Sequence, residues 1–341
     1  MVVVALGQRV ERSFYMFKRS MVSVLVGLLG LSILVGGCGS NSAGETNKIR
    51  IGILQQVEHP ALDASTEGFK AGLAERGYKD GENVELDFQN AQGEHSNMES
   101  ITNRFVSDKD TLIYVVGTAA SQIVANATKD IPIVGAAIYD YKGTGLVQSV
   151  EKPGTNVTGT TNFNPVPKQL DLILKVLPNT KEVGVIYSSS EVNAQIQVVA
   201  FKEYAASKGI RVVEETITSV NDIPQVTTNL INKGVKVIYT PTDNLIASAM
   251  PNLVAVAEAA KVPVFVSDGM LIEKGGFMGY TVDFYQLGLQ AGHMAADILD
   301  GKSKPEDMPV QMQATMKLAT NPDMAKKLGI TIPDDLPQEA K

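Results

Sequence analysis

Short runs rich in valine and isoleucine alternate with amphipathic stretches of about 12 to 17 residues from Lys48 onward. The apolar runs do not alternate with polar residues at every second position, as strands with one solvated face do. Strands that lie between two layers of helices are continuously hydrophobic instead. The pattern therefore predicts an α/β fold built on parallel sheets.

The same pattern occurs twice along the chain. Four segments recur in the same order: 51–54 as 183–186, 68–77 as 200–209, 112–114 as 237–239, and 131–134 as 262–265. A repeat of this length indicates a duplicated domain rather than a solenoid unit. We therefore expect two doubly wound Rossmann-like lobes, each reading strand, helix, strand, helix, strand, helix, strand. Gly77 and Gly209 stand where a glycine ends a helix.

The segments outside the repeat predict how the lobes are joined. The Pro- and Gly-rich segment 152–167 lies between the two copies and is the expected first crossing. The tail predicts a strand near 276–281, a helix over 284–299, a run near 310–319 and a short helix ending at Leu328. The result is a three-crossing hinge. Its predicted domains are 49–160 plus 282–305 for lobe one and 161–281 plus 306–341 for lobe two.

The N-terminus has the features of an export signal. Lys18 and Arg19 precede the uncharged stretch 21–35, and two glycines lead to Cys38. The apolar stretch is shorter than the roughly 20 residues of a membrane span. The context of Cys38 resembles the bacterial lipobox, which implies a signal peptide over 1–37, a lipidated cysteine and a polar tether over 38–48. An uncleaved anchor with an incidental cysteine is the alternative, and the natural start is Met1 or Met16.

Charge and composition narrow the possible functions. The net charge of −7 and the pI near 5.2 argue against a nucleic-acid partner, which requires a basic face. Cys38 is the single cysteine, so no internal disulfide is expected. The histidines His59, His95 and His293 lack metal-ligand spacing, and no P-loop, GxSxG or GxGxxG motif is present. We therefore expect no metal, no cofactor and no enzymatic activity, with an extracytoplasmic enzyme as the rival interpretation.

Several loop segments together resemble a known family. They are LQQVEHPALD at 54–63, NAQGEHSN at 90–97, EKPGTNVTG at 151–159, YSSSEVNA at 187–194, YTPTDN at 239–244 and FYQLGLQAG at 284–292. They are similar to the ABC-transporter substrate-binding lipoproteins related to the tryptophan-binding protein of Gram-positive bacteria. The resemblance implies a monomeric type I periplasmic-binding fold on the extracytoplasmic face of the membrane. It also implies a small ligand, often an aromatic amino acid, that is delivered to a permease.

The chain departs from that family in two loops. It has Tyr139-Asp140-Tyr141 where the family usually has Thr-Asp-Pro, and Ser267-Asp268-Gly269 where the family usually has Gly-Asp. Both loops follow strands that are expected to end at the cleft. A branched-chain amino acid, a sugar or a nucleoside therefore stays open as the ligand, and a sensor ectodomain is the alternative function.

Ligands of open α/β sheets bind at the carboxyl ends of the strands, which selects the candidate residues. They are Gln55, Gln56, Glu58, Gly117, Thr118, Ala119, Tyr139, Ser190, Glu191, Asn193, Asp243 and Asp268. The start of the helix at Gly117 is a seat for a ligand carboxylate, and Thr118 either adds a hydroxyl or only caps the helix.

A ligand ammonium needs a carboxylate in the cleft, and Asp268 is the first candidate because it follows a buried run. Asp243 and Glu191 are the others, each with a structural alternative at the start of its own helix. Tyr139 and Tyr141 either stack on the ligand or pack at the edge of the lobe. His59 is read as structural.

Overall fold

A computed structural model describes residues 48–340. The predicted signal peptide, Cys38 and all of the tether except Lys48 lie outside the described residues, so those predictions stay open. Within residues 48–340, none of the helices has both the length and the hydrophobicity that crossing a bilayer requires.

The first copy of the repeat forms one sheet with its helices. Its elements are β1 (Ile49–Gln55), α1 (Pro60–Glu75), β2 (Val84–Asn90), α2 (His95–Ser107), β3 (Leu112–Val116), α3 (Thr118–Ala127), β4 (Ile133–Ile138) and β5 (Val157–Thr161). Every residue of β3, β4 and β5 is buried, which explains why these runs are apolar or small throughout. The edge strand β2 is only partly covered and is correspondingly polar.

The second copy repeats this arrangement. Its elements are α4 (Val166–Val176), β6 (Glu182–Ser188), α5 (Val192–Ser207), β7 (Arg211–Ile217), α6 (Ile223–Asn232), β8 (Ile238–Thr240), α7 (Asn244–Ser248), α8 (Met250–Ala259), β9 (Val264–Val266) and β10 (Met278–Thr281). Gly77 and Gly209 follow α1 and α5 with φ of +89° and +70°, the left-handed conformation predicted for them.

The tail completes both sheets. It consists of α9 (Phe284–Leu299), β11 (Gln311–Met312), β12 (Met316–Thr320), α10 (Pro322–Leu328) and β13 (Glu339–Ala340). The strand order is β2-β1-β3-β4-β5-β11 in the first sheet and β7-β6-β8-β9-β10-β12-β13 in the second. The first five strands of each sheet are parallel and occur in the same relative order, so the predicted duplication and the two doubly wound lobes are confirmed.

The chain crosses between the sheets three times, as predicted, but the third crossing lies later than expected. The crossings join β5 to α4, β10 to α9 and β11 to β12. The run near 310–319 is two strands in different sheets, because Gln311 and Met312 pair in parallel with Thr160 and Thr161 of β5. Because β11 belongs to the first sheet, the boundary predicted at 305/306 falls after Met312 instead. The sequence could not show this, since a strand of two residues has no periodicity.

The helices α1 and α9 approach so closely that their backbones touch. Gly68 and Gly72 of α1 face Gly288 and Gly292 of α9. A Cβ atom at Gly288 would lie 1.9 Å from the carbonyl oxygen of Ser65. No side chain fits there, so the spacing of four residues in both helices is a packing requirement.

The first prediction concerns this contact. An exposed helical Gly→Ala change normally stabilises by about 1 kcal/mol. We expect Gly288→Ala to lower the free energy of unfolding by about 2 kcal/mol or more, because the new methyl group forces the helices apart. Urea denaturation followed by circular dichroism measures the effect. Glu203→Ala, on the exposed side of α5, is the control and should be near neutral. A Gly288→Ala protein as stable as the wild type would contradict the backbone contact.

Candidate functional site

A narrow pocket lies between the two lobes at the carboxyl ends of their strands. The cavity between its walls is small, about 20 Å³, so the two lobes lie almost closed on each other. The first lobe supplies the polar side chains of His59, Tyr139 and Asn162. The second lobe supplies those of Asn193, Thr242, Asp243, Asn244 and Asp268. The apolar side chains are those of Leu62, Ala137, Ala247, Leu271 and Phe284.

Four buried side chains join the lobes beside this pocket, and we call them the interlobe bridge. Gln56 Nε2 of the first lobe donates to Glu191 Oε1 of the second lobe at 2.7 Å. Asn244 Nδ2 donates to Glu191 Oε2 at 2.8 Å, and Asn244 Oδ1 lies 3.1 Å from Nε2 of His59 in the first lobe. Gln56 Oε1 also accepts from the backbone N–H of Ala119 at the start of α3, at 3.1 Å. The bridge therefore fixes the lobes against each other.

Buried carboxyl groups set the electrostatics of the site. Burial raises the pKa of Asp268 to about 7 and that of Asp243 to about 6. Burial, with Asp243 nearby, raises the pKa of Glu191 to about 8. Among the described residues that line the pocket, none is a lysine or an arginine. The site is therefore acidic and lacks a cation of its own, an arrangement that favours a cationic ligand group.

The three carboxyl groups differ in how fully their oxygens are used. Both oxygens of Asp243 accept backbone hydrogen bonds, from Ser188 at 2.6 Å and Ile246 at 2.9 Å, so Asp243 caps α7. Both oxygens of Glu191 serve the interlobe bridge. Asp268 accepts one backbone hydrogen bond, from Met270 at 2.9 Å. Asp268 is therefore the carboxyl group with most capacity left for a ligand.

The structure brings some of the predicted site residues together and separates others. Tyr139, Asn193, Asp243 and Asp268 line the pocket. Gln56 and Glu191 stand beside it in the bridge. Gln55 points away, toward α1, where it donates to Asp63 at 2.7 Å and accepts from Thr66 at 2.7 Å.

Other candidates lie outside the pocket. Glu58 and Ser190 are exposed and line a wider groove that shares His59 and Asn244 with the pocket. Gly117 precedes α3 with φ of +105°, and the N–H of Ala119 behind it already binds Gln56. The Thr118 hydroxyl caps nothing, because it is buried without a hydrogen-bond partner in the part of the chain that the structure describes.

The two tyrosines of the segment Tyr139-Asp140-Tyr141 have different surroundings. Tyr139 lines the pocket, and its hydroxyl donates to the backbone of Asn164 at 3.1 Å. Tyr141 is fully buried below it and donates to the backbone of Thr160 at 3.1 Å, which is packing at the edge of the lobe. The strand β4 shifts register between Gly135 and Ile138, and Ala137 there has φ of +56°. This irregularity precedes Tyr139 directly and lies against the pocket.

Sequence analysis missed several residues of the site. Asn162 belongs to the segment read as a crossing, Asn244 follows the aspartate that was singled out, and Phe284 begins α9. Asn162 could have been found from the sequence, because it is a polar residue inside a predicted crossing and crossings border the cleft. Within residues 48–340, no group of three or more His, Cys, Asp or Glu side chains is arranged to hold a metal ion.

Comparison with known proteins identifies the family. The sequence model described as "ABC transporter substrate binding protein" matches residues 50–341. The chain belongs to this family. It is 41% identical over 320 residues to the "Tyrosine-binding protein" of Clostridioides difficile (strain R20291), covering 91% of this chain and 92% of that protein. The family function, extracytoplasmic substrate binding for an ABC transporter, is therefore that of this chain, and the family role is binding rather than catalysis.

Two solved structures of similar proteins differ in their fit to this substrate-binding protein. An ABC domain in complex with L-Trp from Streptococcus pneumonia has a TM-score of 0.81 at 40% identity. A ligand-free, open substrate-binding protein with adhesive properties from Clostridium difficile has a TM-score of 0.65 at 44% identity. Both comparisons cover 84% of this chain and 96% of the other. The interlobe bridge shows that the lobes here are in a closed arrangement, and the relative described as open is the one that fits less well. The type I periplasmic-binding fold is confirmed.

The second prediction concerns the interlobe bridge. Gln56→Leu removes the amide that joins the lobes through Glu191, so we expect the ligand-free protein to shift toward an open form. Small-angle X-ray scattering should show a larger radius of gyration than in the wild type. Gln195→Leu is the matched control, because that exposed amide donates to the backbone carbonyl of Ser189 in its own lobe. Identical scattering from both variants would contradict a bridge that holds the lobes closed.

The third prediction concerns pH. Asp268 has a pKa of about 7 when folded and an ordinary value of about 3.9 when unfolded. Between these values the folded state holds a proton that the unfolded state has released. The contribution of Asp268 to stability is therefore full below pH 4 and is lost as the pH rises to 7. We expect Asp268→Asn to raise the free energy of unfolding at pH 8 by on the order of 2 kcal/mol, and by much less at pH 4.

Urea titrations of the ligand-free proteins at both pH values measure this difference. Asp222 is the control, because backbone and side-chain hydrogen bonds from Thr218 lower its pKa. Asp222→Asn should therefore change stability in the opposite sense, with a loss above pH 4. A pH-independent gain from Asp268→Asn would show that the carboxyl group is ionised in both states.

Proposed function

We propose that this protein captures an aromatic amino acid, tyrosine or tryptophan, in the pocket between its lobes and delivers it to the permease of an ABC importer. The similar proteins support this ligand class, since one is named tyrosine-binding and another is in complex with L-Trp. The observation that carries the proposal is a closed pocket with buried carboxyl groups and no lysine or arginine among its described lining residues.

Asp268 receives the ligand ammonium in this proposal. It is buried, with 4% of its surface exposed, and it accepts a single hydrogen bond from the residues between 48 and 340. A buried carboxylate without a cation is unfavourable, so an ammonium group that pairs with it gains a strong charge-assisted hydrogen bond. An anionic or purely apolar ligand would not pair with the carboxylate of Asp268, so the cost of burying that charge would remain.

The apolar walls receive the aromatic side chain once the lobes move apart, because the closed cavity of about 20 Å³ is too small to hold it. Leu62, Leu271 and Phe284 line the pocket from both lobes, and all three are buried. Phe284 offers a ring face or edge to an aromatic ligand. Tyr139 adds a second ring, which itself packs against Phe163 at 5.2 Å between centroids.

The N-terminal predictions belong to the same proposal. An exported protein that is lipidated at Cys38 stays close to the permease, and a polar tether over 38–48 leaves its lobes free to open and close. We propose a monomer, because ligand capture is completed by two lobes of one chain.

The fourth prediction tests the ligand. We expect L-tyrosine and L-tryptophan to bind in isothermal titration calorimetry, and N-acetyl-L-tyrosine, which lacks the ammonium, to bind at least 100-fold more weakly. The chain contains no tryptophan, so bound L-tryptophan can also be followed by its fluorescence. L-Leucine, glucose and adenosine are the comparison ligands. Binding of one of these in place of the aromatic amino acids would refute the proposed ligand class.

A further inference from the structure

Three side chains that line the pocket each keep a buried polar atom without a hydrogen-bond partner within residues 48–340. The atoms are His59 Nδ1, Asn162 Oδ1 and Asn193 Oδ1. The side chains are buried, with 5%, 4% and 5% of their surfaces exposed. A buried polar atom that lacks a hydrogen-bond partner destabilises the folded protein. Three of them around one pocket mark it as a place that accepts hydrogen bonds from a ligand or from water.

Hydrogen bonds elsewhere in the protein identify two of these atoms as acceptors. Asn193 Nδ2 donates to the Thr242 carbonyl at 2.8 Å, so the free atom is the amide oxygen. Asn244 Nδ2 donates to Glu191, so Asn244 Oδ1 must accept from His59 Nε2.

His59 is neutral, since burial lowers its pKa to about 4. One ring nitrogen carries the proton, and the bond to Asn244 places it on Nε2. Nδ1 is then a bare acceptor. Asn162 Oδ1 is the third buried atom without a partner, and the carboxyl group of Asp268 lines the same pocket and accepts hydrogen bonds when it is ionised.

Three buried acceptor atoms and a carboxyl group around one pocket favour a ligand rich in donors. A protonated primary amine brings three N–H donors and a positive charge on one atom. We propose that Asn162 and Asn193 determine specificity by accepting, together with Asp268, the three N–H groups of a primary ammonium. This inference deepens the proposed function and rests on it, since it assigns how an amino-acid ligand is recognised.

The two asparagines belong to different parts of the fold. Asn162 directly follows β5 at the first crossing, and Asn193 lies in the first turn of α5 in the second lobe. An ammonium held by both would contact the hinge and the second lobe at once. Its full set of acceptors would therefore exist only when the lobes are closed, which gives the ligand the differential affinity that closure requires.

The fifth prediction tests the two amide oxygens in the full-length protein, after L-tyrosine binding by the wild type has been measured. Asn162→Leu and Asn193→Leu keep a similar volume but remove the acceptor. We expect each to weaken L-tyrosine binding at least tenfold. For Asn162→Leu, the urea midpoint of the ligand-free protein should stay equal or rise, because an unsatisfied buried oxygen has been removed. Asn252→Leu, on an exposed turn of α8, is the control and should bind L-tyrosine like the wild type.

A second probe separates recognition from a structural effect. N-Methyl-L-tyrosine keeps the charge but has one N–H fewer, so the wild type should bind it about tenfold more weakly than L-tyrosine. In both leucine variants this ratio should fall toward one, since an acceptor is already missing. An unchanged ratio in both variants would overturn the inference, as would unchanged affinity for L-tyrosine. If the wild type binds no primary amine at all, the proposed function fails as well, and the two failures are thereby distinguished.

Discussion

The contact between α1 and α9 is the constraint on which the rest of the structure depends. Four glycines allow the two helices to touch through their backbones, and α9 is the segment that returns from the second lobe to the first. Both helices begin at the pocket, where Leu62 of α1 and Phe284 of α9 form part of its apolar wall. The helix spacing therefore sets the width of that wall and the position of the second crossing together. Larger residues at the glycines would disturb packing and ligand pocket alike.

The residues of the pocket lower the stability of the ligand-free protein. Asp268 and three unsatisfied acceptors are buried together, and each is unfavourable in the absence of a donor. A site that bound its ligand with groups already satisfied would gain little, because each new hydrogen bond would replace an old one. Unsatisfied groups make the gain on binding larger and confine it to ligands with matching donors. Specificity and reduced stability therefore arise from the same residues.

The fold could be predicted from sequence far better than the site. Continuous apolar runs and a repeat revealed both lobes, and the helix over 284–299 begins and ends where its pattern does. The two-residue strand β11 could not be predicted, because its position depends on the free edge of β5 rather than on its own residues. Position after a strand selected Asp268 and Asn193, and both line the pocket. It also selected Gln55, because a strand end does not show which of two neighbouring side chains turns toward the helix behind it.

The chemistry of the interlobe bridge suits a protein that must open again. The bridge joins the lobes by two hydrogen bonds, one from a neutral amide to Glu191 and one from a neutral imidazole to Asn244. Each contributes a net stabilisation of about 0.5–3 kcal/mol, since opening replaces it with a bond to water. A buried ion pair at either place would have carried a large desolvation penalty on closing, which the neutral amide and imidazole avoid. The bridge therefore biases the lobes toward closure by an amount small enough for a ligand to decide the outcome.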